Sequence, residues 1–204
     1  IGWSHPIALG PDIPLMRKLV SNGEKSHYRA YIPGSSLKGA LRSSASRVAS
    51  AYGFKSCGEV RPELIMKSSL CDVCHLFGAP MNSSPSPIFI SDLELAEFSV
   101  KPYILTRIRL EDRSLRVAER ALFSTEYYPP EMEFSGVITL INPDDVKPLV
   151  GLLLLSIAEL RLGRFGRASL VDLKLEETEE LRKIVEERWL NLLNELERWL
   201  WSES

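Results

Sequence analysis

Residues 31–42, Tyr-Ile-Pro-Gly-Ser-Ser-Leu-Lys-Gly-Ala-Leu-Arg, restrict the fold more than any other stretch of this 204-residue chain. An apolar pair ends at Pro33-Gly34, where proline fixes φ and glycine tolerates the left-handed region. Ser35 or Ser36 can then cap a helix by accepting from amides that no residue inside the helix reaches. From Leu37 the spacing becomes helical through Leu41, Val48 and Ala51, with Lys38, Arg42 and Arg47 interspersed. The unit reads as strand, tight turn and helix N-terminus with two cations in its first turns. Free amides beside Lys and Arg suit a phosphate. The same pattern equally describes an ordinary capped helix whose basic residues face water.

On either side of this unit the chain alternates breakers with apolar runs. Residues 3–30 read as an irregular loop, with Pro6, Gly10, Pro11, Pro14 and a Ser-Asn-Gly-Glu turn at 21–24. Asp12 lies among those breakers, where a lone Asp is ordinarily a solvated turn former. The helix from about Ser36 to Tyr52 stops at Gly53. Ile88–Leu95 reads as a strand, with Asp92 in a structural role. Ile104–Leu110 starts a second strand, followed by a turn near Glu111-Asp112, an arm toward Phe123, and a return strand from Met132 to Ile141. Val146–Leu162 is a core helix that stops at Gly163. After a Gly/Arg loop, Ala168–Leu175 reads as a strand, and Glu176–Trp201 as one amphipathic helix with apolar residues at three- and four-residue steps. The class is α+β with an antiparallel sheet.

Charge and hydropathy remove several functions. The formal net charge of −2 argues at first against a nucleic-acid binder. From Glu176 onward, however, nine acidic residues face four basic ones, which leaves a balance of +3 on the rest of the chain. A basic groove there is compatible with the totals. The longest apolar run, around 149–157, contains Ser156 and is too short to span a bilayer. A membrane-surface helix needs a basic polar face, and that of 176–201 is acidic. No secretory signal is visible, so a cytoplasmic setting is expected. The opening Ile1-Gly2 suggests truncation or processing.

All three cysteines, Cys57, Cys71 and Cys74, follow the first helix. Three thiols cannot all pair internally, and a reducing compartment keeps them free. Cys71-x-x-Cys74 has the spacing of a zinc knuckle, closed by Cys57 from across the loop. His75 is the nearest fourth ligand, with His27 as the alternative because adjacent ligands strain the geometry. Such an ion would be structural, with no open coordination position. A buried cysteine cluster without metal is the other reading.

The run Ile32-Pro-Gly-Ser-Ser-Leu-Lys-Gly-Ala-Leu-Arg42 resembles the signature of the RAMP superfamily, and more narrowly the backbone subunit of CRISPR type III effector complexes. Leu76-Phe-Gly78, the stretch Thr106–Gly136 and Leu162-Gly-Arg-Phe-Gly-Arg-Ala168 fit the same family in the same order. The resemblance runs from Ile1 to about Leu175. It implies a ferredoxin-like or RRM-like core at 1–175, with insertions at about 53–87 and 100–135, and a C-terminal helix at 176–204 packing on the domain or a neighbour. It would also place a strand before Ile1.

Further expectations follow from the resemblance. Gly10-Pro-Asp-Ile-Pro-Leu15 matches the family's catalytic loop, which makes Asp12 the residue for target-RNA cleavage, with a divalent cation near the scissile phosphate. The arginine-rich hairpin would be a thumb pressing into the guide–target duplex, with Arg107 and Arg113 on RNA. Ser35, Ser36, Lys38 and Arg42, and the loop Gly163, Arg164, Gly166 and Arg167, would contact the RNA backbone. The strands lack RNP-type stacking aromatics, so shape and backbone contacts should dominate. Expected partners are crRNA, target RNA, further copies in a head-to-tail filament and other effector subunits. The alternatives are a non-catalytic structural subunit and a sequence-nonspecific RNA-binding protein.

Overall fold

The computed structural model describes residues 11–22, 25–59, 61, 70–79, 85–96, 100–111, 116–130, 132–166 and 169–201. The first elements are β1 (Arg17–Asn22), β2 (Lys25–Ile32), α1 (Gly34–Val48) and α2 (Asp72–Phe77). Six strands follow: β3 (Ile88–Ile90), β4 (Leu93–Leu95), β5 (Tyr103–Leu110), β6 (Val117–Tyr127), β7 (Phe134–Ser135) and β8 (Ile138–Leu140). The chain closes with α3 (Pro143–Val146), α4 (Val150–Leu162), α5 (Glu179–Ile184) and α6 (Leu190–Leu196). The fold is α+β, and its strand ladders are antiparallel, in keeping with a ferredoxin-like core carrying a hairpin. It divides into two units, residues 1–34 with 91–137 and residues 35–90 with 138–204.

In the first unit a sheet runs in the order β1-β2-β4-β7. Its first two strands occupy sequence expected as irregular loop. They pair from Arg17↔Ala30 to Asn22↔Lys25, with Leu19 opposite Tyr28. Both of those side chains are exposed, so the hairpin has no buried face to write an apolar alternation into the sequence. The expected strand Ile88–Leu95 is likewise two strands, because Ser91 and Asp92 turn aside. Asp92 Oδ1 accepts from the Gly34 amide at 3.0 Å, and Ser91 Oγ accepts from the Val137 amide at 2.9 Å. The return strand is divided at the same level, between β7 and β8. Gly136 is required there, since a Cβ would lie 2.9 Å from Leu93 Cγ. β5 and β6 form a separate hairpin paired from Tyr103↔Tyr127 to Leu110↔Val117, with an irregularity between Ile108 and Leu110.

The second unit is built on α4, which is buried on every side over Val150–Ile157. Such a helix has an apolar circumference rather than a stripe. α3 and a 3-10 turn at Lys147–Leu149, containing Pro148, lead into it. α1 begins at Gly34, so its first amide is taken by Asp92 and not by Ser35 or Ser36, which stand inside the first turn. Leu37, Leu41 and Ala45 form its buried side, and Gly53 ends the following 3-10 turn at φ +82°.

The C-terminal stretch is helical and amphipathic, but in pieces. Val185 and Glu186 are extended, and a 3-10 turn at Glu187–Trp189 precedes α6. The β-branched pair Ile184-Val185 favours helix only weakly. Burial of the Trp189 indole against the backbone of Gly151 decides the local path; a Cβ on Gly151 would sit 2.1 Å from the indole nitrogen. Residues 170–175 do not form the expected strand. They are held by Asp172, which pairs with Arg161 at 2.8 Å and accepts from the Leu200 and Trp201 amides at 2.7 and 3.0 Å. Among the described residues, no helix is long and apolar enough to cross a membrane.

Candidate functional site

Asp12 is positioned by β6. Ile13 runs parallel to Thr125, with its amide on the Ser124 carbonyl and its carbonyl on the Glu126 amide, both at 3.0 Å. This places Asp12 beside Ser124. Asp12 Oδ2 accepts from the Ser124 amide at 2.6 Å and from its hydroxyl at 2.8 Å, while the Asp12 amide donates to the same hydroxyl at 3.0 Å. These bonds from Ser124 hold the exposed carboxyl below the usual carboxylate range, so it is ionised at neutral pH. Oδ1 has no hydrogen bond among the described residues. Glu126 secures the same segment, accepting from the Leu15 amide at 3.0 Å and pairing with Arg17 at 2.5 Å.

In the hairpin the Arg107 guanidinium lies 5.1 Å from the centre of the Tyr127 ring, and Arg109 is exposed. Ile104, Ile108, Leu110 and Leu122 are exposed on the same ribbon. Arg113 lies outside the described residues, as does Arg167 of the glycine loop. In that loop Arg164 is exposed, Phe165 is buried, and Gly166 adopts φ +67°. Gly163 caps α4 with its amide on the Leu160 carbonyl at 3.1 Å.

The two cations of α1 have partners within the second unit. Lys38 Nζ donates to Ser86 Oγ at 2.7 Å and to the Ile88 carbonyl at 2.8 Å. Burial, and then Arg42 one turn away, lower its pKa. Arg42 donates to the Gly78 carbonyl and, at 3.3 Å, to Cys74 Sγ. Ser35, Gly39 and Ser43 are exposed on the adjoining face of α1, away from the buried Leu37, Leu41 and Ala45, and the space above Gly39 is open.

Cys57, Cys71 and Cys74 converge, their sulfurs all within 4.8 Å of one another and Cys57 to Cys74 at 3.7 Å. Tetrahedral zinc with sulfur bonds of about 2.3 Å sets its ligand sulfurs roughly 3.8 Å apart, so the donor set fits such an ion. Asp72 helps place Cys57: its carboxylate accepts from the Lys55 amide at 2.7 Å, fixing the irregular segment that leads to the thiol. Cys71 and Cys74 are buried and Cys57 is exposed. Burial and the neighbouring thiols push Cys74 up to about 12. Burial also opposes ionisation of Cys71, but the Cys74 and Cys57 amides and thiols outweigh it and hold that group low. His75 does not join the cluster. It is exposed on α2, with its amide on the Cys71 carbonyl at 2.9 Å. His27 lies on β2 in the first unit.

Ser124, Glu126 and Ser86 went unrecognised in the sequence as site-building residues, and Asp92 was read only as structural, without its link to Gly34. Ser124 stands 112 positions from Asp12, and no local pattern joins them.

The described elements define an antiparallel α+β protein with an inserted hairpin and a three-thiol cluster able to hold a metal ion. The model of the RAMP superfamily matches residues 19–201, and the chain belongs to that superfamily of CRISPR-associated RNA-binding proteins. No curated protein matches it.

Proposed function

We propose that this chain is the crRNA-binding backbone subunit of a type III CRISPR effector complex and that Asp12 serves cleavage of the bound target RNA. One observation carries the catalytic part: an exposed, ionised carboxylate is fixed through a single oxygen, leaving Oδ1 open to a ribose hydroxyl or a divalent cation. RNA would lie along the exposed Ser35–Gly39–Ser43 side of α1, where small side chains permit close approach of the phosphates. Arg107 and Arg164 would add charge, together with Arg113 and Arg167. Lys38 and Arg42, held by their own partners on the adjoining face, would brace α1 rather than meet RNA themselves. Copies of the chain would stack head to tail along the guide in the cytoplasm, with other effector subunits at the ends. Cys57, Cys71 and Cys74 would hold a zinc ion through three thiolates, which corrects the expectation of a closed site: the fourth position would fall to water or another ligand.

The test is Asp12→Ala in the assembled complex. Guide and target binding should persist while cutting stops, and cutting at the parental rate would end the catalytic assignment. The same Ser124 bonds also favour a second reading, in which Asp12 only pins residues 12–15 to β6 and the subunit is non-catalytic. That reading expects Asp12→Ala to weaken assembly and leave the chemistry of assembled particles unchanged.

A further inference from the structure

Arg42 meets the thiol cluster from α1, where the sequence pattern alone would aim it at phosphate. Its guanidinium spans two partners, Cys74 Sγ at 3.3 Å and the Gly78 carbonyl just beyond the end of α2. Among the described residues it is the only cation with a hydrogen bond on a cluster sulfur, since Lys38 is committed to Ser86 and Ile88. His75, the basic group of α2, is exposed.

Charge explains why this contact matters. Three thiolates around a divalent ion carry a net charge of −1. Cys71 and Cys74 are 6% and 1% exposed, so most of that charge would lie away from water. An unpaired buried charge is costly, and arginine keeps its proton in any protein environment. Hydrogen bonds donated to a ligating sulfur also orient the ligand and tune the metal.

We propose that Arg42 is the outer-sphere partner of a three-thiolate metal centre at Cys57, Cys71 and Cys74, neutralising the cluster and tying its metal occupancy to the seating of α1. The inference rests on the metal reading above but not on RNA binding or on Asp12. It assigns Arg42 a positioning role, distinct from ligation. It also implies that the helix bearing Ser35 and Gly39 is steadied by an ion bound at its flank.

The experiment uses the full chain, stripped of metal and titrated with Co²⁺ and then Zn²⁺. Thiolate-to-cobalt charge transfer and the visible ligand-field bands report the site. The parental chain should bind one Co²⁺ with the spectrum of tetrahedral thiolate coordination. Arg42→Gln, which keeps a donor but removes the charge, should bind about 10–100-fold more weakly, and Arg42→Lys should recover part of the loss. Amide exchange supplies a second readout: metal should slow exchange across α1 in the parental chain and not in Arg42→Gln. If the variants fold poorly, the parental exchange result alone decides, and metal-independent exchange of α1 overturns the coupling. Equal affinity and spectra for Arg42→Gln and the parental chain overturn the outer-sphere role while leaving the metal site in place. Failure of the parental chain to bind Co²⁺ or Zn²⁺ removes the metal reading itself, and the inference with it.

Discussion

Asp172 shows how much one carboxylate can organise here. Arg161, only 5% exposed, pairs with it and also donates to the carbonyls of Glu195 and Arg198, while Asp172 accepts from Leu173, Leu200 and Trp201. Burial alone would raise its pKa, but the amides and Arg161 together hold it below the ordinary 3.8. A group whose folded pKa is depressed contributes fully above its unfolded pKa and loses that contribution as pH falls through the folded one. Asp172→Asn should therefore cost about 1–3 kcal/mol near neutrality. The deficit should begin to close near pH 3.8 and vanish at lower pH, as read by urea unfolding across a pH series. A gap that stays constant down to pH 2 would contradict the assignment. At this scale the sequence was partly legible. It pointed to the cysteines through residue type and spacing, and to Asp12 only through the family resemblance. It could not show that Lys38 and Arg42 turn inward, since Ser86, Gly78 and Cys74 reach them only through the fold.

Among the elements, the contact between Trp189 and Gly151 fixes how the C-terminal pieces meet α4. The indole is buried and stacks on Phe54 at 6.1 Å, so it has no free direction in which to yield to a methyl group on Gly151. Gly151→Ala should destabilise the chain by about 1–3 kcal/mol, seen as a lowered thermal midpoint. Trp189→Leu in the same background should show a non-additive, partial recovery. The hairpin behaves oppositely. Leu122 is 67% exposed, so Leu122→Ser should leave stability within about 0.5 kcal/mol while weakening RNA binding if the ribbon is the thumb. Unchanged affinity in a filter-binding assay would argue against that use. α1 was legible from its periodicity, and α4 from its nearly unbroken apolar run. β1 and β2 were missed because neither buries an apolar row, and the breaks at Ser91-Asp92 and Val185-Glu186 answer to distant partners.

For the molecule as a whole, a metal-filled cluster would tie α2 to the segment holding Cys57, with α1 attached through Arg42. Chelation should lower the thermal midpoint and release one divalent ion per chain by native mass spectrometry. An identical melt before and after chelation would mean that the thiols stand alone. The division of the chain has a consequence for its biosynthesis. Each unit is assembled from two separated segments, so the polypeptide leaves the first unit at residue 34, returns at 91 and leaves again at 137. The ribosome therefore delivers β1 and β2 long before β4 exists to pair with β2, or β7 with β4, and the α1 region waits for α4. Folding must be largely postponed until most of the chain has emerged, with open strand edges in the interval. Slow synthesis should expose this chain to aggregation more than a protein of the same size whose units follow one another in order.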